Sequence, residues 1–91
     1  FNSQKECIRG NHAHKKCSQF FVSLKDTIKI ELDDGAKKRK IQLKQGHIVK
    51  IKPMIWVKVY LKKNQIVCVI CDKKYSLKEY IRNYKVFKKL I

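Results

Sequence analysis

The stretch Thr27-Ile28-Lys29-Ile30-Glu31-Leu32-Asp33-Asp34-Gly35-Ala36-Lys37-Lys38-Arg39-Lys40-Ile41-Gln42-Leu43-Lys44 decides the fold class. From Thr27 to Leu32 apolar and polar residues alternate: Ile28, Ile30 and Leu32 fall on one side, Thr27, Lys29 and Glu31 on the other. Side chains alternate across a strand with period two, so this pattern predicts a half-buried strand. Asp33-Asp34-Gly35 follows, and Asp-Gly between alternating runs is a strong short-range hairpin signal. On the return, Ile41 and Leu43 continue the apolar face, with Lys40, Gln42 and Lys44 opposite.

The same pattern extends in both directions. Upstream, Gln19 to Leu24 is rich in aromatic and β-branched residues and predicts a strand. Downstream, Gln45-Gly46 marks a turn, and His47 to Lys52 alternates around Val49 and Ile51 before Pro53 ends it. From Met54 to Leu61, Ile55, Val57, Val59 and Leu61 share one face, and Met54, Trp56, Lys58 and Tyr60 share the other. Neither face looks like a plain solvent face, because Trp and Tyr are large amphipathic groups. The pattern fits a strand with one side on a ligand cavity, and equally a strand packed on both sides. After a turn at Lys62-Lys63-Asn64, Gln65 to Cys71 is a β-branched run that predicts a buried strand.

The period then changes. Ser76 is followed three residues on by Glu79, a capping-box spacing. Leu77, Tyr80, Ile81, Tyr84, Phe87 and Ile91 recur at helical spacing, which predicts a closing helix over 76–90. The whole is expected to be an all-β antiparallel jelly-roll barrel or sandwich with one C-terminal helix, a single domain over 1–91. A chain this short buries a modest core. It begins at Phe1 without an initiator Met and is read as N-terminally truncated.

Charge is one-sided: 23 Lys and Arg against 7 Asp and Glu give a net +16. Such a field attracts polyanions, from phosphorylated ligands to nucleic acid. Most of these cations are scattered, and Lys37-Lys38-Arg39-Lys40 is the one run. A basic nucleic-acid-binding module is therefore an alternative, but no RNP-like motif, helix-turn-helix pattern or complete zinc finger accompanies the charge. No apolar run approaches the ~20 residues that span a bilayer, so no membrane partner is expected. Of Cys7, Cys17, Cys68 and Cys71, the last two have CxxC spacing, but on a strand that spacing puts the sulfurs on opposite faces, where they cannot share a metal. Free thiols in a reducing cytoplasm are the expectation.

The chemistry-bearing stretch is Arg9-Gly10-Asn11-His12-Ala13-His14-Lys15. On a strand, His12 and His14 point to one face, and Arg9 and Lys15 flank them with fixed positive charge. Three readings follow. A metal site needs further ligands, for which Glu31 and His47 are the candidates, and neither is well placed. A metal-free pair could take a proton from one carbon and help return it at another. A purely structural, hydrogen-bonded pair is the third.

RGNHAHK, followed by Gln19 and a β-rich body, resembles the cupin-type sugar 3,4-ketoisomerases (WxcM-like sugar isomerases), which act on nucleotide-linked 4-keto-6-deoxyhexoses. The resemblance runs from about Ile8 to Leu90. Asp33-Asp34-Gly35 resembles the family's internal hairpin, and Pro53-Met54-Ile55-Trp56 its strand entry to the pocket. Tyr80-Ile81-Arg82-Asn83-Tyr84 with Phe87 resembles its closing DYIRxYxxF pattern. The resemblance implies a cupin-like barrel and an isomerase that moves the keto group of a dTDP-linked 4-keto-6-deoxyhexose from C4 to C3, in deoxysugar and lipopolysaccharide biosynthesis. It implies no metal and no cofactor, a cytoplasmic location and a homodimer. His12 would remove the C3 proton, with His14 as shuttle or polarising group. Arg9, Lys15, Gln19, Trp56 and Tyr60 would bind substrate. A non-catalytic or epimerase-like nucleotide-sugar-binding cupin is the alternative within the same ligand class.

Overall fold

The computed structural model describes residues 7–73 and 80–91. Its strands are β1 (Cys7–His14), β2 (Gln19–Lys25), β3 (Ile28–Asp33), β4 (Lys38–Leu43), β5 (Ile48–Ile51), β6 (Trp56–Leu61), β7 (Ile66–Cys71) and β8 (Tyr80–Ile81), followed by helix α1 (Tyr84–Leu90). They form two antiparallel sheets, one of five strands in the order β4-β3-β6-β1-β8 and one of three in the order β5-β2-β7.

The apolar faces read from the sequence meet between the sheets. Ile28, Ile30, Leu43, Val57, Val59 and Leu61 from the larger sheet pack on Phe21, Ile51 and Val67 from the smaller. Fully burying one such aliphatic side chain stabilises by about 1.5–3 kcal/mol. A second cluster of Ala13, Trp56, Ile81 and Phe87 lies on the other face of the larger sheet, beneath α1. Trp56 and Val57 are neighbours on one strand and therefore serve opposite faces. β6 is thus packed on both sides.

The Asp-Gly turn links β3 to β4 with Asp33 opposite Lys38. Asp33 Oδ1 accepts from the Gly35 amide at 2.7 Å, and Asp34 Oδ1 accepts from the Ala36 and Lys37 amides at 2.8 Å each. Asp side chains fold such loops by bonding backbone two or three residues on.

The end of the chain differs from the expected helix over 76–90. Tyr80 and Ile81 are a two-residue strand, paired with His14 and Ala13 of β1. The helix is the seven-residue segment from Tyr84. Asn83, in extended conformation, caps it by accepting from the Lys85 and Val86 amides, which is what an N-cap asparagine does. The helical spacing of Tyr80 and Ile81 with Tyr84 and Phe87 is coincidental, because the edge of β1 offers their backbone a ladder that a helix would leave unpaired. Ser76 and Glu79, the expected cap, lie outside the described residues.

Candidate active site

The site begins with an irregularity in β1. Cys7 to Gly10 pair in step with Leu61 to Lys58 of β6, then the register shifts and His12 stands opposite Val57. Gly10 (φ +86°) and Asn11 (φ +51°) are both left-handed there. An extra residue of this kind kinks a strand and re-aims the side chains that follow. A Cβ on Gly10 would lie 2.8 Å from the Val57 carbonyl oxygen, so only glycine fits.

Beyond the bulge His12 and His14 share the inner face, as their spacing predicts. Their ring centroids are 5.1 Å apart, at 74°. Tyr80 of β8 closes the group, with centroids 5.0 Å from His12 and 4.5 Å from His14. His14 is buried and His12 half-buried.

The geometry sets the protonation of His12. Its Nδ1 lies 2.9 Å from the Gly10 carbonyl oxygen. A carbonyl only accepts, so Nδ1 carries the proton and Nε2 of the neutral ring keeps a free lone pair. His12 Nε2 is buried, with no hydrogen-bond partner among the described residues. Burial pulls the His12 pKa below its ordinary value. The Gly10 carbonyl opposes this, and the positive charge of Arg82 adds to it. His12 is therefore a neutral imidazole at neutral pH with Nε2 able to accept a proton.

The imidazole opens on a cavity of about 200 Å³ between the sheets. Gln19, Cys71 and Tyr80 are its other polar lining residues, and Phe21, Val59 and Val69 are apolar walls. Gln19 is buried at the start of β2, opposite Cys71. His12 and Gln19 thus line one cavity, and His14 stands beside His12. Lys15 is exposed just past the end of β1. Arg9 is on β1 opposite Val59, and its side chain lies outside the described residues.

Trp56 and Tyr60 do not line this cavity, contrary to expectation. Their strand turns Val57 and Val59 inward, so Trp56 and Tyr60 face the other way. Trp56 is buried beneath the helix, against Tyr84 and Phe87 at 5.2 and 5.6 Å between centroids. The Tyr60 hydroxyl donates to Glu31 Oε2 at 2.8 Å, and that bond raises the phenol pKa. Trp56 and Glu31 instead line a separate cavity of about 200 Å³, with Asp33, Lys38, Lys58 and Tyr84. Glu31 is thus on the wrong face to serve the histidines, and His47 is exposed in a turn. Among the described residues no three His, Cys, Asp or Glu side chains gather as a metal would need.

Tyr80 and Cys71 are site residues that the sequence pattern assigned elsewhere. Cys71 follows the inner-face period of Val67 and Val69, while Cys68 stands opposite Val22 on the outer face. For Tyr80 the usable signal was Asn83, whose capping chemistry places the helix start after Arg82.

The model of the WxcM-like C-terminal family, FdtA, matches residues 1–91. The chain belongs to this family. It is 32% identical over 93 residues to TDP-4-oxo-6-deoxy-alpha-D-glucose-3,4-oxoisomerase from Aneurinibacillus thermoaerophilus, covering 100% of the chain and 67% of that enzyme. It superposes with TM-score 0.89 on the TDP-fucose-3,4-ketoisomerase from Campylobacter jejuni, at 35% identity over 99% of the chain and 68% of that structure. The 3,4-ketoisomerase from Thermoanaerobacterium thermosaccharolyticum in complex with TDP matches with TM-score 0.89 at 26% identity, over 98% of the chain and 66% of that structure. The chain therefore spans about two thirds of the length of these WxcM-like relatives. The antiparallel sheets with a short C-terminal helix are the cupin-like architecture of the ketoisomerases. No helix among the described residues is long and apolar enough to cross a membrane.

Proposed function

We propose that this chain carries the histidine site of a sugar 3,4-ketoisomerase acting on a dTDP-linked 4-keto-6-deoxyhexose. The observation that carries the reading is the buried, proton-accepting Nε2 of His12, held by the Gly10 carbonyl and opening on the cavity. An enzyme of this kind needs a base near neutral pH that stays unprotonated.

The reaction exchanges a ketone and its neighbouring alcohol. His12 Nε2 takes the proton from C3, and the electron pair of that C–H bond becomes the C3–C4 double bond of an enediolate. The former C4 carbonyl oxygen takes up the negative charge. The 3-hydroxyl proton passes to O4, and a proton returned to C4 leaves the carbonyl at C3. Electrons are conserved within the sugar. His14, 5.1 Å from His12 and on the same face, is placed to relay the proton or polarise an oxygen. Gln19 is the neutral buried amide that orients the ring hydroxyls.

The cavity is smaller than the ~300–1,000 Å³ of sites that enclose a whole drug-sized ligand. It suits the reacting sugar ring, with the nucleoside diphosphate in the basic field outside. Arg9 and Lys15 supply phosphate contacts from either end of the motif. Trp56 and Tyr60 have no place at this cavity. The active form is a cytoplasmic homodimer serving deoxysugar biosynthesis. The support for pairing is the outer side of the smaller sheet, where Leu24, Ile48 and Ile70 are 55%, 66% and 54% exposed, apolar surface that a second copy would cover.

The test is to incubate the protein carrying this chain with TDP-4-keto-6-deoxyglucose and follow the sugar by NMR. Conversion to the 3-keto isomer supports the reading. A folded protein that binds the nucleotide sugar without converting it would identify a binding cupin instead.

A further inference from the structure

β8 is two residues long, yet it brings two groups of the same strand end to the imidazole pair. The Tyr80 ring stands edge-on to His12 and tilted against His14, with centroids 5.0 and 4.5 Å away. The Arg82 guanidinium carbon lies 5.1 Å from the Tyr80 centroid, over the ring. The order is imidazoles, phenol, guanidinium. A cation held over an aromatic face is attracted by its quadrupole, so Tyr80 fixes where the Arg82 charge sits relative to His12.

Among the described residues, the groups around His12 come from five strands and the residue after β8. β1 supplies His14, β7 supplies Cys71, β2 supplies the neutral amide of Gln19, β6 supplies Val59, β8 supplies Tyr80, and Arg82, just past β8, stands over the Tyr80 ring. Among these described residues Arg82 is the one with a permanent charge.

We propose that Tyr80 and Arg82 are positioning residues for the histidine couple: Tyr80 clamps both imidazoles, and the guanidinium stacked on it holds a fixed positive charge behind the ring that packs on His12. The proposal rests on the reading of His12 as the base. Burial and Arg82 act in the same direction on its proton affinity. The arrangement also explains why two residues of strand precede the helix: a helix begun earlier would not pair Tyr80 with His14.

Two readouts separate this from a merely structural role. The first needs no substrate. NMR titration of the His12 Cε1–H resonance in the intact protein gives its midpoint. In Arg82→Gln the midpoint is expected to rise by about half a pH unit, modest because the guanidinium is exposed. Arg82→Lys keeps the charge and is expected to stay near wild type. A midpoint in Arg82→Gln equal to wild type overturns the electrostatic role, as does a rise in Arg82→Lys as large as in Arg82→Gln.

The second readout is kinetic. The acid limb of the kcat/KM–pH profile is expected to move to higher pH in Arg82→Gln by the same amount. Tyr80→Leu is expected to lower kcat about tenfold with little change in KM, and to abolish the ring-current shift of both histidines. Tyr80→Phe is expected to restore both. A Tyr80→Leu protein with wild-type histidine shifts and kcat overturns the clamp. If the His12 midpoint moves in Arg82→Gln while no variant nor wild type isomerises the sugar, the positioning holds and the isomerase reading fails. If the sugar is isomerised and the midpoint does not move, the isomerase reading holds and the electrostatic role of Arg82 fails.

Discussion

His12 Nδ1 donates to the carbonyl of Gly10, two residues back along the same strand, at 2.9 Å. That one bond fixes both the tautomer and the aim of the imidazole, and it exists because β1 bulges between Gly10 and His12. The strand irregularity and the chemistry are therefore one feature.

Removing the base tests it first. His12→Gln keeps an amide that can still donate to Gly10 but has no basic nitrogen. Isomerisation is expected to fall by about 10²–10⁴-fold, the usual contribution of a positioned general base. Circular dichroism checks that the fold is retained.

Gly10→Ala forces a Cβ to within 2.8 Å of the Val57 carbonyl at a left-handed backbone angle. It is expected to cost about 1–3 kcal/mol of stability. Because the bulge aims His12, kcat should fall as well, even under conditions where the variant is fully folded. Urea unfolding and steady-state kinetics separate the two losses.

Trp56 and Gln19 give opposite expectations. Trp56→Ala should lose about 3–5 kcal/mol, as for large aromatic truncations in a core, and Trp56→Phe should leave KM unchanged because the ring lies beneath the helix. Gln19→Ala should instead raise KM by about 3–10-fold, the worth of one hydrogen bond. Kinetics on Trp56→Phe and Gln19→Ala, with thermal melts on all three, check the assignment.

Stability should depend on pH through His12. Its folded pKa is lowered while the unfolded one stays near 6.5. Between those values the unfolded chain binds more protons than the native one, so stability rises with pH. Thermal melts are expected to show a falling Tm as pH drops below about 6.5, levelling at the lower folded pKa. His12→Gln should flatten that slope.

Much of the fold was legible because a half-buried sheet writes itself as alternation. Ile28, Ile30 and Leu32 against Lys29 and Glu31, with Asp33-Asp34-Gly35 between runs, admit few other readings. His12 and His14 share a face for the same reason of period. The unreadable parts have physical causes too. Trp56 and Tyr60 are amphipathic, and nothing local says whether the second face of β6 meets a cavity or a helix. The packing of α1 and β8 decides that, through Phe87 and Ile81. Tyr80-Ile81 fits a helical stripe as well as a strand, and pairing with Ala13 and His14, distant in sequence, selects the strand.

The central claim is that His12 Nε2 removes the proton from C3. The most direct measurement is the rate at which deuterium from D₂O enters C3 of TDP-4-keto-6-deoxyglucose, compared among wild type, His12→Gln and His14→Gln. Wild type is expected to exchange, His12→Gln to exchange about 10²–10⁴-fold more slowly, and His14→Gln to show a smaller loss. Wild-type exchange at C3 in a folded His12→Gln protein would contradict the claim.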